Sequence, residues 1–168
     1  MIVALGDSIT AAERSWAHRL AQTIGPPLLN HASDGAVVAD VLRRQLPRLR
    51  ERASLGCLYV GVNDARGLQF DPDAYERDLA ATAHGLRARC AQLLMCTMPL
   101  DLGRPTAAPK PAIANAAIRR VAGATGAILC ELDDLAGPVL LQPDAVHLTD
   151  AGQAEIAERA ARALAASG

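Results

Sequence analysis

Five short apolar runs, each bounded by glycine, proline, aspartate or asparagine, constrain the fold of this 168-residue chain more than any other feature. They are MIVAL (1–5), PPLLNHA (26–32), LGCLYVGV (55–62), QLLMCTMP (92–99) and AILCELDD (127–134). Most are continuously apolar, which is typical of strands buried on both faces of a parallel sheet. Amphipathic stretches separate the runs. This alternation predicts a three-layer α/β sandwich around a five-stranded, mainly parallel sheet.

The stretches between the runs show the periodicity of helices. Three apolar stripes stand out: Val38, Val41, Leu42, Leu46 and Leu49, then Tyr75, Leu79, Ala83 and Leu86, then Ile113, Ala117 and Val121. Pro47 is expected to kink or divide the first helix. Asp71 is predicted to be the N-cap of the second, and Gly123 is predicted to stop the third. The last helix is predicted to open with Asp150 and Gln153 at capping-box spacing.

Composition narrows the class of protein. No repeat, linker or low-complexity tract divides residues 1–168, which predicts one domain. Four aromatic residues are too few to fill a core, so alanine, leucine, valine and isoleucine must build it. The net charge is −1 and the arginines are spread along the chain, which argues against a nucleic-acid partner. No apolar run could span a bilayer, and too few residues precede position 6 for a signal peptide. We therefore expect a cytoplasmic protein without membrane insertion; nothing indicates its oligomeric state.

The four cysteines point to the core rather than to a metal site. Cys57, Cys96 and Cys130 lie within apolar runs, and Cys90 is expected to end a helical stretch. None has C-x-x-C spacing, so a metal site is not predicted. Buried free thiols are the favoured interpretation. A disulfide between neighbouring strands stays open as an alternative.

Polar residues follow several of the predicted strands. Strand 1 is followed by Gly6-Asp7-Ser8, strand 2 by Ser33-Asp34-Gly35, strand 3 by Asn63-Asp64, and strand 5 by a loop with Asp144 and His147. Ligands of open parallel sheets bind beyond the carboxyl ends of the strands. In a flavodoxin-like strand order, 2-1-3-4-5, the first three strands are neighbours. Their polar ends should therefore meet at one edge of the sheet.

The chemistry available at that edge is acyl transfer. A serine hydroxyl such as Ser8 needs a neighbouring base, and His147 can be that base because imidazole titrates near neutral pH. Asp144, three residues earlier, can hold the imidazole from its other nitrogen. A tetrahedral oxyanion needs donors, and the Ser8 and Gly35 N–H groups and the Asn63 amide could supply three. The sequence thus predicts a catalytic triad and an oxyanion hole.

The chain resembles the SGNH hydrolases, also called the GDSL esterase/lipase family, over essentially its whole length. Four blocks of the family appear in order: GDSIT (6–10), SDGAVV (33–38), GVND (61–64) and DAVHLT (144–149). The resemblance implies Ser8 as nucleophile, Gly35 and Asn63 as oxyanion donors, and His147 as base with Asp144 as its partner. It also implies a flavodoxin-like sheet, no metal and no other cofactor.

Simpler interpretations exist for single residues. Ser8 or Asp7 alone would be an ordinary N-cap, and Asn63-Asp64 alone would be a turn. The G-x-S-x-G elbow of α/β-hydrolases is absent, and no G-x-G-x-x-G loop follows strand 1, so a nucleotide or flavin site lacks support.

The sequence predicts a serine esterase that hydrolyses short- or medium-chain acyl esters, small molecules, through an acyl-enzyme. A carbohydrate O-deacetylase, a thioesterase or a lysophospholipase on the same scaffold is the alternative, and a non-catalytic binding module is a weaker one. The loops after strands 3 and 4 are expected to form the walls of the substrate pocket. Their apolar residues are Leu68, Phe70, Leu100 and Leu102.

Overall fold

A computed structural model describes all 168 residues and contains one five-stranded sheet. The strands are β1 (Ile2–Gly6), β2 (Leu28–Asn30), β3 (Ala53–Tyr59), β4 (Cys90–Cys96) and β5 (Ile128–Cys130). Their order is β2-β1-β3-β4-β5, and every neighbouring pair is parallel. The predicted flavodoxin-like α/β fold and its strand order are therefore confirmed.

Strand β1 lies inside the sheet and is buried along its whole length. Ile2 is in register with Leu28 of β2 on one side and with Leu55 of β3 on the other. Pairing with β3 continues as far as Gly6, opposite Tyr59. The carboxyl end of β1 is therefore fixed by hydrogen bonds within the sheet.

Seven α-helices flank the sheet. They are α1 (Ser8–Ala11), α2 (Trp16–Ile24), α3 (Val38–Asp40), α4 (Val62–Arg66), α5 (Pro72–Arg87), α6 (Lys110–Thr125) and α7 (Asp150–Ala166). Helix α2 packs against α7, and α5 packs against both α3 and α6. With right-handed crossovers these two groups cover opposite faces of the sheet. No helix combines the length and apolar character that a bilayer crossing requires.

One continuous cluster of 47 buried apolar residues joins the layers. Aliphatic side chains dominate it, as the composition predicted, although Trp16, Tyr59 and Tyr75 are buried too. The Trp16 and Tyr59 rings meet edge to face, with 6.4 Å between their centroids. All four cysteines are buried and free, which agrees with the favoured interpretation. Cys90, however, begins β4 instead of ending a helix, because α5 has already stopped at Arg87.

The predicted end of the third helix and the predicted capping of the last helix are wrong. Helix α6 passes through Gly123 and ends at Thr125, and Gly126, with a φ of +64°, supplies the left-handed cap. Helix α7 begins at Asp150, as predicted. At the start of α7 the N-cap is Thr149, since its hydroxyl accepts a hydrogen bond from the Gly152 N–H. The Gln153 side chain points inwards instead and hydrogen-bonds to the backbone of Trp16 and of Ile9.

The helix predicted around Pro47 is irregular, as expected. After α3 the chain forms a π-helical segment, Val41–Gln45, and then a 3-10 turn, Leu46–Arg48. Asp71 caps α5 by accepting from the N–H groups of Asp73 and Ala74, as predicted.

Candidate active site

The turn after β1 presents Ser8 at the carboxyl edge of the sheet. The chain leaves the strand at Gly6, where a Cβ would lie only 2.2 Å from the Tyr59 carbonyl oxygen, so no other residue fits. Asp7 then caps α1, its Oδ1 accepting from the Ile9 N–H at 3.0 Å. Ser8 is the first residue of this helix and is partly exposed. The nucleophile candidate thus stands on a short turn that the Asp7 cap stabilises.

Two buried glutamine side chains stabilise this turn through hydrogen bonds to its backbone. The Gln45 amide accepts from the Gly6 N–H at 2.9 Å and donates to the Gly6 carbonyl at 2.8 Å and to Ser33 Oγ at 3.0 Å. Gln153 of α7 accepts from the Trp16 N–H at 2.7 Å and donates to the Ile9 carbonyl at 3.1 Å. Sequence reasoning missed both residues. Their signal was an uncharged polar side chain on the apolar side of a helix.

The segment after β2 brings Gly35 to the same edge. Gly35 has a φ of +71°, a left-handed conformation that glycine adopts without strain. The Asn63 side chain donates to the Ala36 carbonyl at 3.0 Å. Asp64 accepts from the Val38 N–H with both carboxylate oxygens, at 3.1 and 3.2 Å. Helix α4 therefore anchors the segment that carries Gly35.

Asp144 and His147 form a self-contained turn before α7. Asp144 Oδ1 accepts from the backbone N–H groups of Val146 and His147, at 3.0 and 2.9 Å. Its Oδ2 lies 2.6 Å from His147 Nδ1. Partial burial acts to raise the pKa of Asp144, but the hydrogen bonds from His147 and Val146 outweigh it and lower the pKa to about 2. Asp144 therefore remains a carboxylate at neutral pH.

The two halves of the site meet across 139 residues of sequence. Ser8 Oγ lies 3.1 Å from His147 Nε2, which completes an unbroken line of hydrogen bonds from the hydroxyl to the Asp144 carboxylate. An imidazole held in this way can accept the hydroxyl proton while the carboxylate stabilises the resulting cation.

An open cavity of about 540 Å³ adjoins the Ser8 hydroxyl. Six residues line it: Ser8, Ala12, Asp34, Gly35, Asn63 and His147. Four of these were predicted for the site, and Asp144 lies next to His147. Ala12 and Asp34 were not predicted as lining residues. Ala12 is the only apolar residue among the six.

The predicted pocket walls require correction. Leu102 is only 2% exposed and belongs to the core, whereas Leu68 is 93% exposed. Phe70 packs on Tyr75, with 5.5 Å between ring centroids, and Leu100 borders a separate depression near Arg104. None of the four predicted residues lines the cavity beside Ser8. Apolar residues in these loops are either drawn into the core or left at the surface, away from the serine.

Two carboxyl groups are buried behind the site. Burial raises the pKa of Asp7 to about 7, against the hydrogen bond from Ile9, and the negative charge of Asp64 adds to the increase. Burial likewise raises the pKa of Asp64 to about 6, although the Val38 N–H lowers it. Asp7 is 1% exposed, and its Oδ2 has no hydrogen-bond partner. An ionised Asp7 is thus costly in the folded protein.

Comparison with known proteins identifies a family and solved structures that are similar to this chain. The profile of the GDSL-like lipase/acylhydrolase family matches residues 4–155. No curated protein sequence gives a significant match.

Solved structures resemble the chain along its whole length. The crystal structure of TesA is 27% identical, with 97% of each chain covered and a TM-score of 0.80. The psychrotrophic esterase EstA from Pseudoalteromonas sp. is 21% identical, with 99% of this chain and 97% of that chain covered and a TM-score of 0.78. Axe2, an acetylxylan esterase from Geobacillus stearothermophilus, is 16% identical, with 97% and 93% covered and a TM-score of 0.76.

The burial of Asp7 predicts how stability depends on pH. The folded protein keeps the Asp7 proton up to about pH 7, whereas the unfolded chain releases it near the ordinary value of 3.8. Between these values the folded state binds more protons, so the free energy of unfolding contributed by this group falls as pH rises. Asp7→Asn cannot ionise but keeps an oxygen for the Ile9 N–H. The stability of Asp7→Asn relative to wild type should therefore increase by up to about 1.4 kcal/mol per pH unit in this window.

Urea unfolding of both proteins at several pH values between about 5 and 8 measures this difference. The exposed Asp73 supplies the control, because Asp73→Asn should show no such trend. A stability difference between Asp7→Asn and wild type that stays constant across the range would contradict the prediction.

Proposed function

Because this chain belongs to the GDSL-like lipase/acylhydrolase family, we propose that it is a serine esterase of short-chain acyl esters that uses Ser8, His147 and Asp144. The observation that carries the proposal is the line of hydrogen bonds from Ser8 Oγ through the imidazole to the Asp144 carboxylate. We also propose that residues 1–168 form one domain, because a single cluster of buried apolar residues joins the layers.

In the first half-reaction Ser8 Oγ attacks the ester carbonyl. His147 Nε2, 3.1 Å away, takes the hydroxyl proton, and its Nδ1 proton stays hydrogen-bonded to Asp144. The tetrahedral intermediate then collapses as His147 returns the proton to the leaving alcohol, which breaks the ester C–O bond. Water activated by His147 subsequently attacks the acyl-serine and releases the acid.

Three donors are available for the oxyanion. The Ser8 N–H lies at the start of α1, and the Gly35 N–H belongs to a residue that lines the cavity. Asn63 Nδ2 carries two hydrogens, of which the bond to Ala36 uses one. The second remains for the substrate, while the first fixes the orientation of the amide. Such preorganised donors stabilise the intermediate more than flexible ones would.

The scarcity of apolar side chains around the cavity favours a small acyl group. A long alkyl chain gains affinity only where protein covers it, at about 0.8 kcal/mol per buried CH₂. Ala12 is the one apolar side chain beside Ser8, so longer chains would extend into water. We therefore assign acetyl and similar short acyl groups to the site.

A second candidate is O-deacetylation of a neutral polyol such as a sugar. The cavity is open and is bordered by the polar residues Ser8, Asp34 and Asn63, which would accommodate a bulky hydroxylated alcohol beside a small acetyl group. Axe2, whose fold is similar, is described as an acetylxylan esterase. Hydrolysis of acetylated sugars alongside p-nitrophenyl acetate would separate the two candidates.

Replacement of the proposed nucleophile and base is the primary test. Ser8→Ala and His147→Ala should each lower kcat for p-nitrophenyl acetate by roughly 10³-fold or more. A fluorophosphonate probe should label wild type at Ser8, as read by peptide mass.

Ser54→Ala and His84→Ala provide matched controls, because Ser54 lies near the start of β3 at the opposite edge and His84 is exposed on α5. Both should retain wild-type activity. Near wild-type turnover in either Ser8→Ala or His147→Ala would refute the assignment.

The close packing of Gly103 against the turn that carries Asp144 and His147 gives a second test. A Cβ on Gly103 would lie 2.6 Å from the Asp144 carbonyl oxygen and 2.9 Å from Ala145 Cβ. Gly103→Ala should therefore displace the turn and lower kcat/KM by about 10- to 100-fold, since misplacement by an ångström has costs of this size. Gly137→Ala is the control, because Gly137 also has a positive φ but open space around it. Equal activity in the two variants, measured with p-nitrophenyl acetate, would contradict the prediction.

Acyl-chain preference tests the proposed substrate class. Across p-nitrophenyl esters from acetate to dodecanoate, kcat/KM should be highest for acetate or propionate because no apolar wall receives a longer chain. Ala12→Leu should raise the rates of longer esters relative to acetate by adding such a wall. A wild-type maximum beyond octanoate would refute the short-chain assignment.

A further inference from the structure

Asp34 places an unpaired carboxylate at the edge of the catalytic cavity. It lines the cavity beside Ser8 and is exposed to solvent. None of the ion pairs of the protein includes it. Its neighbour in sequence is Gly35, a proposed oxyanion donor. The negative charge of Asp34 is therefore held close to the point where an ester would react.

No positive residue balances this charge within the cavity. The other lining residues are Ser8, Ala12, Gly35, Asn63 and His147, with neither lysine nor arginine among them. Any positive charge on His147 is paired with Asp144, 2.6 Å from its Nδ1. The sixteen arginines and one lysine of the chain all lie elsewhere. The cavity therefore has a negative electrostatic character.

We propose that Asp34 is a specificity-determining residue that selects esters with a neutral or cationic alcohol half and disfavours those with an anionic one. The inference rests on the proposed function, since it concerns substrates of the Ser8 site. Esters and thioesters whose leaving group carries phosphate or carboxylate would be poor substrates, because bringing that charge into the cavity opposes the charge of Asp34. Neutral polyols and quaternary-ammonium alcohols would meet no such repulsion.

The magnitude follows from Coulomb's law. Two unit charges about 7 Å apart, at an effective dielectric between about 40 and 80 for an exposed group, change a single rate constant by roughly 3- to 7-fold. A cationic and an anionic substrate respond in opposite directions, so their ratio changes by roughly 7- to 50-fold. Asp34 also acts on the developing oxyanion, but that effect is common to all esters and cancels in a ratio of substrates. The ratio of kcat/KM values for a cationic and an anionic substrate therefore isolates the contribution of Asp34. Because the residue is exposed, added salt should weaken the discrimination.

Three aryl acetates of similar shape provide the test: phenyl acetate, 4-acetoxybenzoate and 4-(trimethylammonio)phenyl acetate. The cationic-to-anionic ratio of kcat/KM is compared between wild type and each variant, so intrinsic differences in leaving-group reactivity cancel. Asp34→Asn should lower this ratio by roughly 7- to 50-fold, and Asp34→Lys should lower it further. Glu51→Gln removes an exposed carboxylate just before β3, at the opposite edge of the sheet, and should leave the ratio unchanged.

The outcomes separate the two proposals. An unchanged ratio in both Asp34 variants, with normal hydrolysis of phenyl acetate, overturns the role of Asp34 and leaves the esterase proposal standing. No hydrolysis of any of the three acetates by wild type overturns the esterase proposal, and the role of Asp34 with it. A ratio that falls in the Asp34 variants but falls equally in Glu51→Gln reflects net charge alone and also overturns the inference. Thermal unfolding of each variant confirms that folded proteins are compared.

Discussion

The position of β1 inside the sheet is the constraint on which the site depends. Both of its edges are hydrogen-bonded, to β2 and to β3, and all its residues are buried. The chain must leave this strand through Gly6, where the Tyr59 carbonyl excludes a side chain. Ser8 consequently stands on the most constrained part of the molecule. A nucleophile held there needs little reorganisation to reach a bound ester, which is what preorganised catalysis requires.

Neutral amides, rather than ion pairs, tie the segments of the site together. Gln45 joins the end of β1 to Ser33, Gln153 joins α7 to the start of α2, and Asn63 joins α4 to Ala36. An amide both donates and accepts, so it can satisfy two backbone groups without the desolvation cost of a buried charge. The ion pairs of arginine, such as Arg120 with Glu76, lie outside the site. The cost of buried charge is concentrated at Asp7 and Asp64, directly behind the proposed nucleophile.

The openness of the cavity limits what the proposed enzyme can recognise. A deep apolar pocket would bind an acyl chain by burying it, but here the cavity is open and Ala12 is its only apolar residue. Discrimination must then come from charge and from the size of the alcohol. In this arrangement the proposed nucleophile Ser8 directly follows a buried strand of the sheet, whereas the residue proposed to select substrates, Asp34, lies on an exposed segment between β2 and α3. Substitutions in this exposed segment can therefore change specificity without disturbing the strand that positions Ser8.

The sequence by itself determined the alternation of strands and helices, because continuous apolar runs and amphipathic stretches are local patterns. The strand order, the family and the proposed catalytic residues followed from four short blocks and the family that they resemble. The sequence also located Asp71 as a cap, where the signal is contained within four residues. The pocket walls, the two glutamine supports, the true end of α6 and the N-cap of α7 were decided only by tertiary structure. Whether Leu102 enters the core, or Gln153 turns inwards towards Trp16, depends on contacts between segments far apart in the chain. No local pattern encodes those contacts, since they exist only once the layers have packed.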